Sequence, residues 1–362
     1  MKSISIIKEK RMGEHRVILL PEQVKLFKNA GYDILVEEGA GSGIDVPDEL
    51  YTAAGAKIVN TEQAWTNSKL ILKYKPPIED EMQFLNQHKI IGAVFHAEGD
   101  KKLTDALLRS RCTAYSYEFF KTPNGVFPLS VASSEIAGKA AVIYGAYHLQ
   151  KHLGGSGVLL SYVPGVKPPK VVIIGYGNAG GSAARMAAQL GAEVVVLGTD
   201  RARLRKFQTT ISSNVTCYLN SAEVIKREIA NADLVIGAIL ISTYDTEPIL
   251  TEDMVKIMKK GSVIVDVTCG YGSGYMPSFD HSTSLQNPVY EKFGVLHCKI
   301  DILPSAFPKT TVPAMSQVIA PYLLNLAEAI FKSKNDPTSE AGKIVETGRI
   351  THYELQRHYD RL

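Results

Sequence analysis

Cysteine is scarce in this chain of 362 residues: four occur, Cys112, Cys217, Cys269 and Cys298, widely spaced and with no CxxC pair. That excludes a disulfide framework and a zinc knuckle, so the four read as buried or free thiols. An excess of charge of one sign is also missing. The 40 basic and 37 acidic residues are well mixed and leave a net charge of +3, which is no footprint for nucleic acid, since that demands a clustered basic face. No run approaches the roughly 20 apolar residues needed to span a bilayer. The opening MKSISIIKEKRMGEHR holds only a short apolar stretch around Ile4 to Ile7 before charges resume, unlike a secretory signal. Repeats and low-complexity segments are absent, and His88 and His96 lack Cys or carboxylate partners at metal-ligand spacing, so no metal is expected. The expectation is a soluble, cytoplasmic protein that engages neither nucleic acid nor membrane.

What the chain does have is enough apolar content, 45%, for two domains with separate cores, and one segment that says most. Residues 171 to 200 read VVIIGYGNAGGSAARMAAQLGAEVVVLGTD: an apolar run, a glycine-rich turn, a small-residue helical stretch from Ser182 to Leu190, and a returning apolar run, Val194 to Leu197. This is the pattern of a dinucleotide-binding βαβ unit. Gly175 permits the tight turn, Gly177 lets the backbone approach a pyrophosphate, and Gly180 lets helix and strand pack closely, so phosphates sit at a helix N-terminus beside Asn178 and Ala179.

The second strand ends unusually. An NAD site places an acid there, about twenty residues past the first glycine, to bond the adenosine ribose. Here that position is Gly198, followed by Thr199, Asp200, Arg201, Ala202 and Arg203. Without the carboxylate, and with two guanidinium groups that match phosphate oxygens bidentately, the segment favours NADP(H) over NAD(H). In the plainer alternative Arg201 and Arg203 begin a solvated helix, with Asp200 as ribose partner or as N-cap.

The predicted class is α/β, with two Rossmann-like domains and the nucleotide-binding one inserted into the other. Residues 1–134 and 305–362 form the substrate domain and 135–304 the dinucleotide-binding domain. Predicted strands in the first are Ser3 to Ile7, Tyr32 to Val36, Leu70 to Tyr74 and Ile90 to Phe95, with a helix opened by Pro21. An Ala- and Gly-rich helix, Ser134 to His152, crosses into the second. Gly154 to Lys170 reads as an extended excursion or hairpin able to pack against another subunit. Further strands are expected at Asp233 to Ile239, Ser262 to Val267 and Gly294 to Ile300, and a returning helix at Gln317 to Lys332.

Several motifs in order, KEKRMGEHRVILLPEQV, LKYKPP, AVFHAEGD, SSEIAGKAA, GVLLSYVPGVKPPKVVIIGYG, ADLVIGAILI and GSVIVDV, together resemble the alanine dehydrogenase family. That family also takes in the nucleotide-binding domain of proton-translocating transhydrogenase and, more distantly, N5-(carboxyethyl)ornithine synthase and the lysine-forming saccharopine dehydrogenases. The resemblance runs from about residue 3 to about residue 330. It implies a bilobed homo-oligomer, an active site in the cleft, and hydride transfer between nicotinamide and an amino-acid Cα. Arg16 falls where the family grips the substrate carboxylate. Lys75 falls where the oxo group is polarised, with Lys73 as the outward alternative, although Pro76 stands where alanine dehydrogenases usually carry glutamate. His96 falls at the general acid/base and argues against a transhydrogenase. Ser134 matches a hydroxyl near the nicotinamide ribose, though it is also a plausible N-cap, and Ala238, Ile239 and Leu240 match the strand end that covers the cofactor.

The resemblance breaks after Ser262 to Val267. Alanine dehydrogenases resemble VDIAIDQGG there, with the second aspartate in the active site, whereas this chain reads VDVTCGYGSG and has Gly270 at that place. Where they resemble VANMP, this chain has KIDILP, Lys299 to Pro304, nearer to the opine and saccharopine relatives. Loss of the carboxylate enlarges and neutralises the amine side of the pocket, and Asp301 is then placed to orient a second amine. The favoured function is an NAD(P)H-dependent reduction of an imine formed from a 2-oxo acid and a carried amine. The alternatives are alanine dehydrogenase proper and a nucleotide-binding paralogue without turnover.

Overall fold

The computed structural model of the protein describes residues 2–239, 247–268 and 274–359. The chain divides into two compact units, Met1–Ser133 with Ser305–Leu362, and Ser134–Pro304.

Unit 1 is built on an eight-stranded sheet: β1 Ser3–Ile6, β2 Asp33–Glu37, β3 Lys57–Val59, β4 Leu70–Leu72, β5 Ile90–Ala93 and β6 Thr113–Ser116, with two late strands, Lys343–Glu346 and Arg349–Ile350. The first six are parallel and lie in the order 3-2-1-4-5-6, and the late pair extends the β6 edge antiparallel. Parallel strands are covered on both faces and so read as continuous apolar runs, as the fully buried Leu70-Ile71-Leu72 does. One face packs against the helices Pro21–Asn29 and Pro308–Lys332 through Val24, Phe27, Ile319 and Leu323. The other buries Trp65, Leu103, Leu107 and Ile344. Each such fully buried side chain contributes about 1.5–3 kcal/mol.

The helix Pro308–Lys332 starts earlier than its expected onset at Gln317, with Pro313 as well as Pro321 inside it. Its first residue, Pro308, costs no helix bond at that position, and its apolar stripe holds the rest. By length and composition this helix could cross a membrane, but Val312, Met315, Leu323 and Leu326 lie in the unit 1 core.

Unit 2 carries a seven-stranded sheet, with β7 Lys170–Ile174, β8 Glu193–Gly198, β9 Val215–Leu219, β10 Leu234–Gly237, β11 Val263–Asp266, β12 Tyr290–Lys292 and β13 Val295–Cys298, which makes the two late strands of unit 1 β14 and β15. Its order, β9-β8-β7-β10-β11-β13 with β12 antiparallel at the edge, is again the doubly wound Rossmann order. The helix after β7 is Asn178–Gln189, longer at its start than the stretch from Ser182 expected.

The helix expected at Ser134 to His152 is Ser130–His148. Its glycines let it lie close: a Cβ on Gly138 would stand 2.0 Å from the Ala179 carbonyl oxygen and one on Gly145 2.5 Å from Leu234. Residues 154–169 contain no paired strands, so the hairpin alternative gives way to an excursion. The Tyr162 amide and the Ser161 hydroxyl both donate to the Leu190 carbonyl at 3.0 Å, leaving Leu159, Tyr162 and Val166 exposed.

Candidate active-site residues of the two units

In an open parallel sheet of this order, ligands bind beyond the carboxyl ends of the strands where the order reverses, which in unit 1 is between β1 and β4. The loops leaving those two strands and their neighbours carry Arg16, Lys75 and His96. Arg16 is buried. Its Nε donates to Glu14 at 2.7 Å, a second donor reaches the other Glu14 oxygen, and its guanidinium lies 3.9 Å over the Tyr74 ring. Burial alone would lower its pKa, but Tyr74, Glu14 and Glu9 outweigh that and hold it above the usual arginine range. A guanidinium has five donors, so one flank remains for a carboxylate.

Glu9 organises the floor between β1 and β4. One of its oxygens accepts from the amides of Tyr74 at 2.7 Å and Lys75 at 3.3 Å, and the other lies 3.6 Å from Lys73 Nζ. Burial raises its pKa from 4.5 to about 7, against the pull of Lys73 and with the push of Glu14. Lys73 is not an outward residue: it is buried, 3.0 Å from Glu81 Oε2, and committed to the two acids. Lys75 is likewise buried, its own amide held by Glu9.

His96 sits just beyond β5 in a left-handed conformation, φ 47°, uncommon for a non-glycine residue. Glu118, after β6, fixes that turn: its carboxylate accepts from the His96 amide at 2.6 Å and the Phe95 amide at 3.3 Å, and lies 3.8 Å from His96 Nδ1. The Val94 amide donates to the Tyr74 carbonyl at 3.0 Å, so the loops of Arg16, Lys75 and His96 form one connected network. Glu9, Glu14, Glu81 and Glu118 were not singled out in the sequence, where they read as ordinary charges in polar loops. Their only signal was the density of acids beside the basic candidates.

Unit 2 presents a different surface. Gly175 has φ 100°, and a Cβ there would stand 2.3 Å from the Ala238 carbonyl oxygen; one on Gly180 would stand 2.0 Å from the Gly175 carbonyl oxygen. A Cβ on Gly177 would meet nothing within 4 Å. The turn is thus closed toward the protein and open outward, and Gly177 caps the helix Asn178–Gln189 with no side chain over its amides, which is what a pyrophosphate needs. Asn178 is exposed and Ala179 half-buried at that helix start. Ser134 lies four residues inside its helix, so it is no N-cap; one turn on, Gly138 touches Ala179, and Glu135 and Lys139 form an exposed ion pair at 2.7 Å. Ala238 and Ile239 follow β10, half-buried; Leu240 and Gly270 lie outside the described residues.

Gly198 ends β8, and Thr199, Arg201 and Arg203 are exposed. Asp200 is an N-cap: its Oδ1 accepts from the Ala202 and Arg203 amides at 2.9 and 3.0 Å. At the end of β11, the buried Asp266 is committed to Tyr275 at 2.8 Å, the Thr268 amide at 2.9 Å and Lys299 Nζ at 3.1 Å. Asp301 stands three residues past β13, half-buried, in unit 2. Among the described residues no group of three or more His, Cys, Asp and Glu is placed to hold a metal ion.

Two Rossmann-type sheets, one with a glycine turn shaped for a pyrophosphate and one with convergent Arg, Lys and His, define a nicotinamide-dependent amino-acid dehydrogenase. The family descriptions "Alanine dehydrogenase/PNT, N-terminal domain" and "Alanine dehydrogenase/PNT, C-terminal domain" match residues 5–137 and 141–353, and the chain belongs to that family. It is 35% identical over 360 residues to an alanine dehydrogenase of Methanococcus maripaludis, covering 99% of this chain and 96% of the relative. A solved L-alanine dehydrogenase superposes with a TM-score of 0.90 at 34% identity, covering 99% of both chains. A transhydrogenase from Sinorhizobium meliloti matches with a TM-score of 0.78 at 24% identity, covering 97% of this chain and 99% of that one, a likeness of fold alone. These relatives do not support the opine-type substrate favoured from Gly270 and the Lys299 to Pro304 loop, nor a preference for NADP(H); they fit alanine dehydrogenase proper and a nicotinamide cofactor.

Proposed function

We propose that the protein is an alanine dehydrogenase: pyruvate, ammonium and a reduced nicotinamide dinucleotide with one proton give L-alanine, water and the oxidised dinucleotide. The observation that carries this reading is the likeness to a relative of that name over 360 residues. Arg16 grips the substrate carboxylate with the donors Glu14 leaves. Lys75 polarises the oxo oxygen, and His96, held by Glu118 at its amide, exchanges the proton as carbonyl becomes amine. Lys73 and Glu9 fix the loop beneath. The bound nicotinamide supplies the hydride that reduces the Cα. Gly175, Gly177, Gly180, Asn178 and Ala179 hold the pyrophosphate; Ser134, Ala238 and Ile239 face the rest of the dinucleotide. The acid-free end of β8, with Thr199, Arg201 and Arg203 exposed, supports a 2′-phosphate and hence NADP(H).

In this reading unit 1 is the substrate domain and unit 2 the dinucleotide domain, and the enzyme acts in the cytoplasm on small molecules. The exposed Leu159, Tyr162 and Val166 support a homo-oligomer. A second reading keeps a carried amine in place of ammonium, with Asp301 orienting it, and rests on Gly270 and the Lys299 to Pro304 loop. Initial rates of NADPH and NADH oxidation with pyruvate, comparing ammonium with ornithine and lysine, separate the two. Turnover with ammonium is expected, and turnover only with a carried amine would reverse the order. His96→Ala is expected to cut the rate about 10²–10⁴-fold with dinucleotide binding unchanged; an unaltered rate would remove His96 from the mechanism.

A further inference from the structure

We propose that Tyr176 decides which dinucleotide this chain accepts. Its ring takes the place at the end of β8 from which a carboxylate would read an adenosine ribose, and leaves a 2′-phosphate to be read by Thr199, Arg201 and Arg203. The proposal deepens, and rests on, the NADP(H) reading above.

A Cβ built on Gly198 would stand 2.0 Å from Cε1 and 2.5 Å from Cδ1 of Tyr176, and 3.1 Å from the buried Leu204. Any side chain at 198, an aspartate included, therefore collides with the ring. The ring is held on several sides. Its hydroxyl donates to the Asp200 carbonyl at 3.4 Å, the Arg203 guanidinium lies 5.7 Å from its centroid, and Phe207 packs against it with centroids 6.0 Å apart. Phe207 is in turn covered by Arg185 at 5.4 Å. Two aromatic rings thus stand between two guanidinium groups, a cation–π arrangement on both outer faces.

The nearest acid in sequence is already engaged. Asp200 spends Oδ1 on the two amides of its own helix, which fixes the carboxylate at the helix start. The chemistry left at the mouth is cationic and forked, suited to a phosphate monoester. Tyr176 is in this sense a specificity residue, setting what can stand beside the ribose.

The test is calorimetric binding of 2′,5′-ADP and of ADP to the full chain, with the kcat/KM ratio for NADPH over NADH as a second readout. The wild type is expected to bind 2′,5′-ADP more tightly. Gly198→Asp alone is expected to weaken both ligands with no gain for ADP. Adding Tyr176→Ala to it is expected to move the ratio toward ADP by roughly 100-fold, as a carboxylate gains the ribose and repels the phosphate. Gly198→Ala, which brings only a methyl group, is expected to weaken 2′,5′-ADP as well, and Tyr176→Phe, which keeps the ring, to retain the wild-type ratio. The proposal is overturned if Gly198→Asp alone shifts the ratio as far as the pair, or if the pair shifts nothing. A wild type that prefers ADP while single and double variants still differ would sink the NADP(H) reading and leave the gate standing.

Discussion

The two sheets share one strand order, yet their carboxyl ends are furnished in opposite ways. Unit 1 ends in buried charge, with the side chains of Glu9, Glu14, Arg16, Lys73, Lys75 and Glu81 all nearly solvent-free. Unit 2 ends in glycine and alanine at the turn, with its buried pair Asp266–Lys299 satisfied internally. The same topology therefore serves two chemistries. Where the ligand must be gripped by its charge, side chains converge and hold one another in place. Where backbone amides must reach the ligand, side chains are removed.

The sharpest way to break this contrast is Lys73→Ala, which strands Glu9 and Glu81 as buried charges without their shared cation. Removing one partner of a buried pair costs about 3–5 kcal/mol, so chemical denaturation should show a loss of that size, and a loss under 1 kcal/mol would show the pair to be solvated. Next comes Glu9→Gln, which keeps an oxygen for the Tyr74 and Lys75 amides but removes the titration. An acid whose pKa rises on folding from 4.5 to about 7 binds its proton more tightly when folded. The wild type therefore loses stability as pH climbs through that window, and the variant does not. The stability gap between them should shift in the variant's favour by on the order of 3 kcal/mol from below pH 4.5 to above pH 7. A gap independent of pH would mean that Glu9 titrates normally.

On the other side of the comparison, Gly175→Ala forces a Cβ onto a residue with φ 100° and 2.3 Å from the Ala238 carbonyl. A cost of about 1–3 kcal/mol follows, with dinucleotide affinity lost and the thermal midpoint lowered; unchanged affinity would show that the turn does not touch the phosphates. The smallest effect expected is from Asp200→Ala. It removes a helix cap worth about 1 kcal/mol and leaves the NADPH to NADH ratio where it was, and a changed ratio would return Asp200 to the ribose.

The glycine turn was legible because each glycine answers a backbone demand that sequence spacing expresses directly: Gly175, Gly177 and Gly180 lie in a turn between two apolar runs. Charge networks are not expressed that way. KEKRMGEHR looks like a solvated loop, and only tertiary burial reveals that Glu9 and Glu14 are interior groups. Lys73 illustrates the same gap, since a lysine two residues from Lys75 offers no sequence clue to which of them faces two carboxylates. Strand ends were overrun by a residue or two, as at Tyr74 and Phe95, because Tyr74, Val94 and Phe95, just before Lys75 and His96, are as apolar as the strands that precede them. Strands β3, β6, β9, β12, β14 and β15 went unread: each has five residues or fewer, and β3, β9, β12 and β15 carry exposed positions, so they lack the long buried run of a central strand.

The inserted arrangement also fixes an order of events during synthesis. The unit 1 core needs Ile4 and Ile6 from the first strand and Val312, Leu323 and Leu326 from the returning helix, which are translated on either side of Ser134–Pro304. Because domains fold as units as the chain emerges, unit 2 can close while unit 1 still waits for its last helix. The half-made protein on the ribosome is therefore one that has acquired its glycine turn while the loops of Arg16, Lys75 and His96 still lack the core that will hold them.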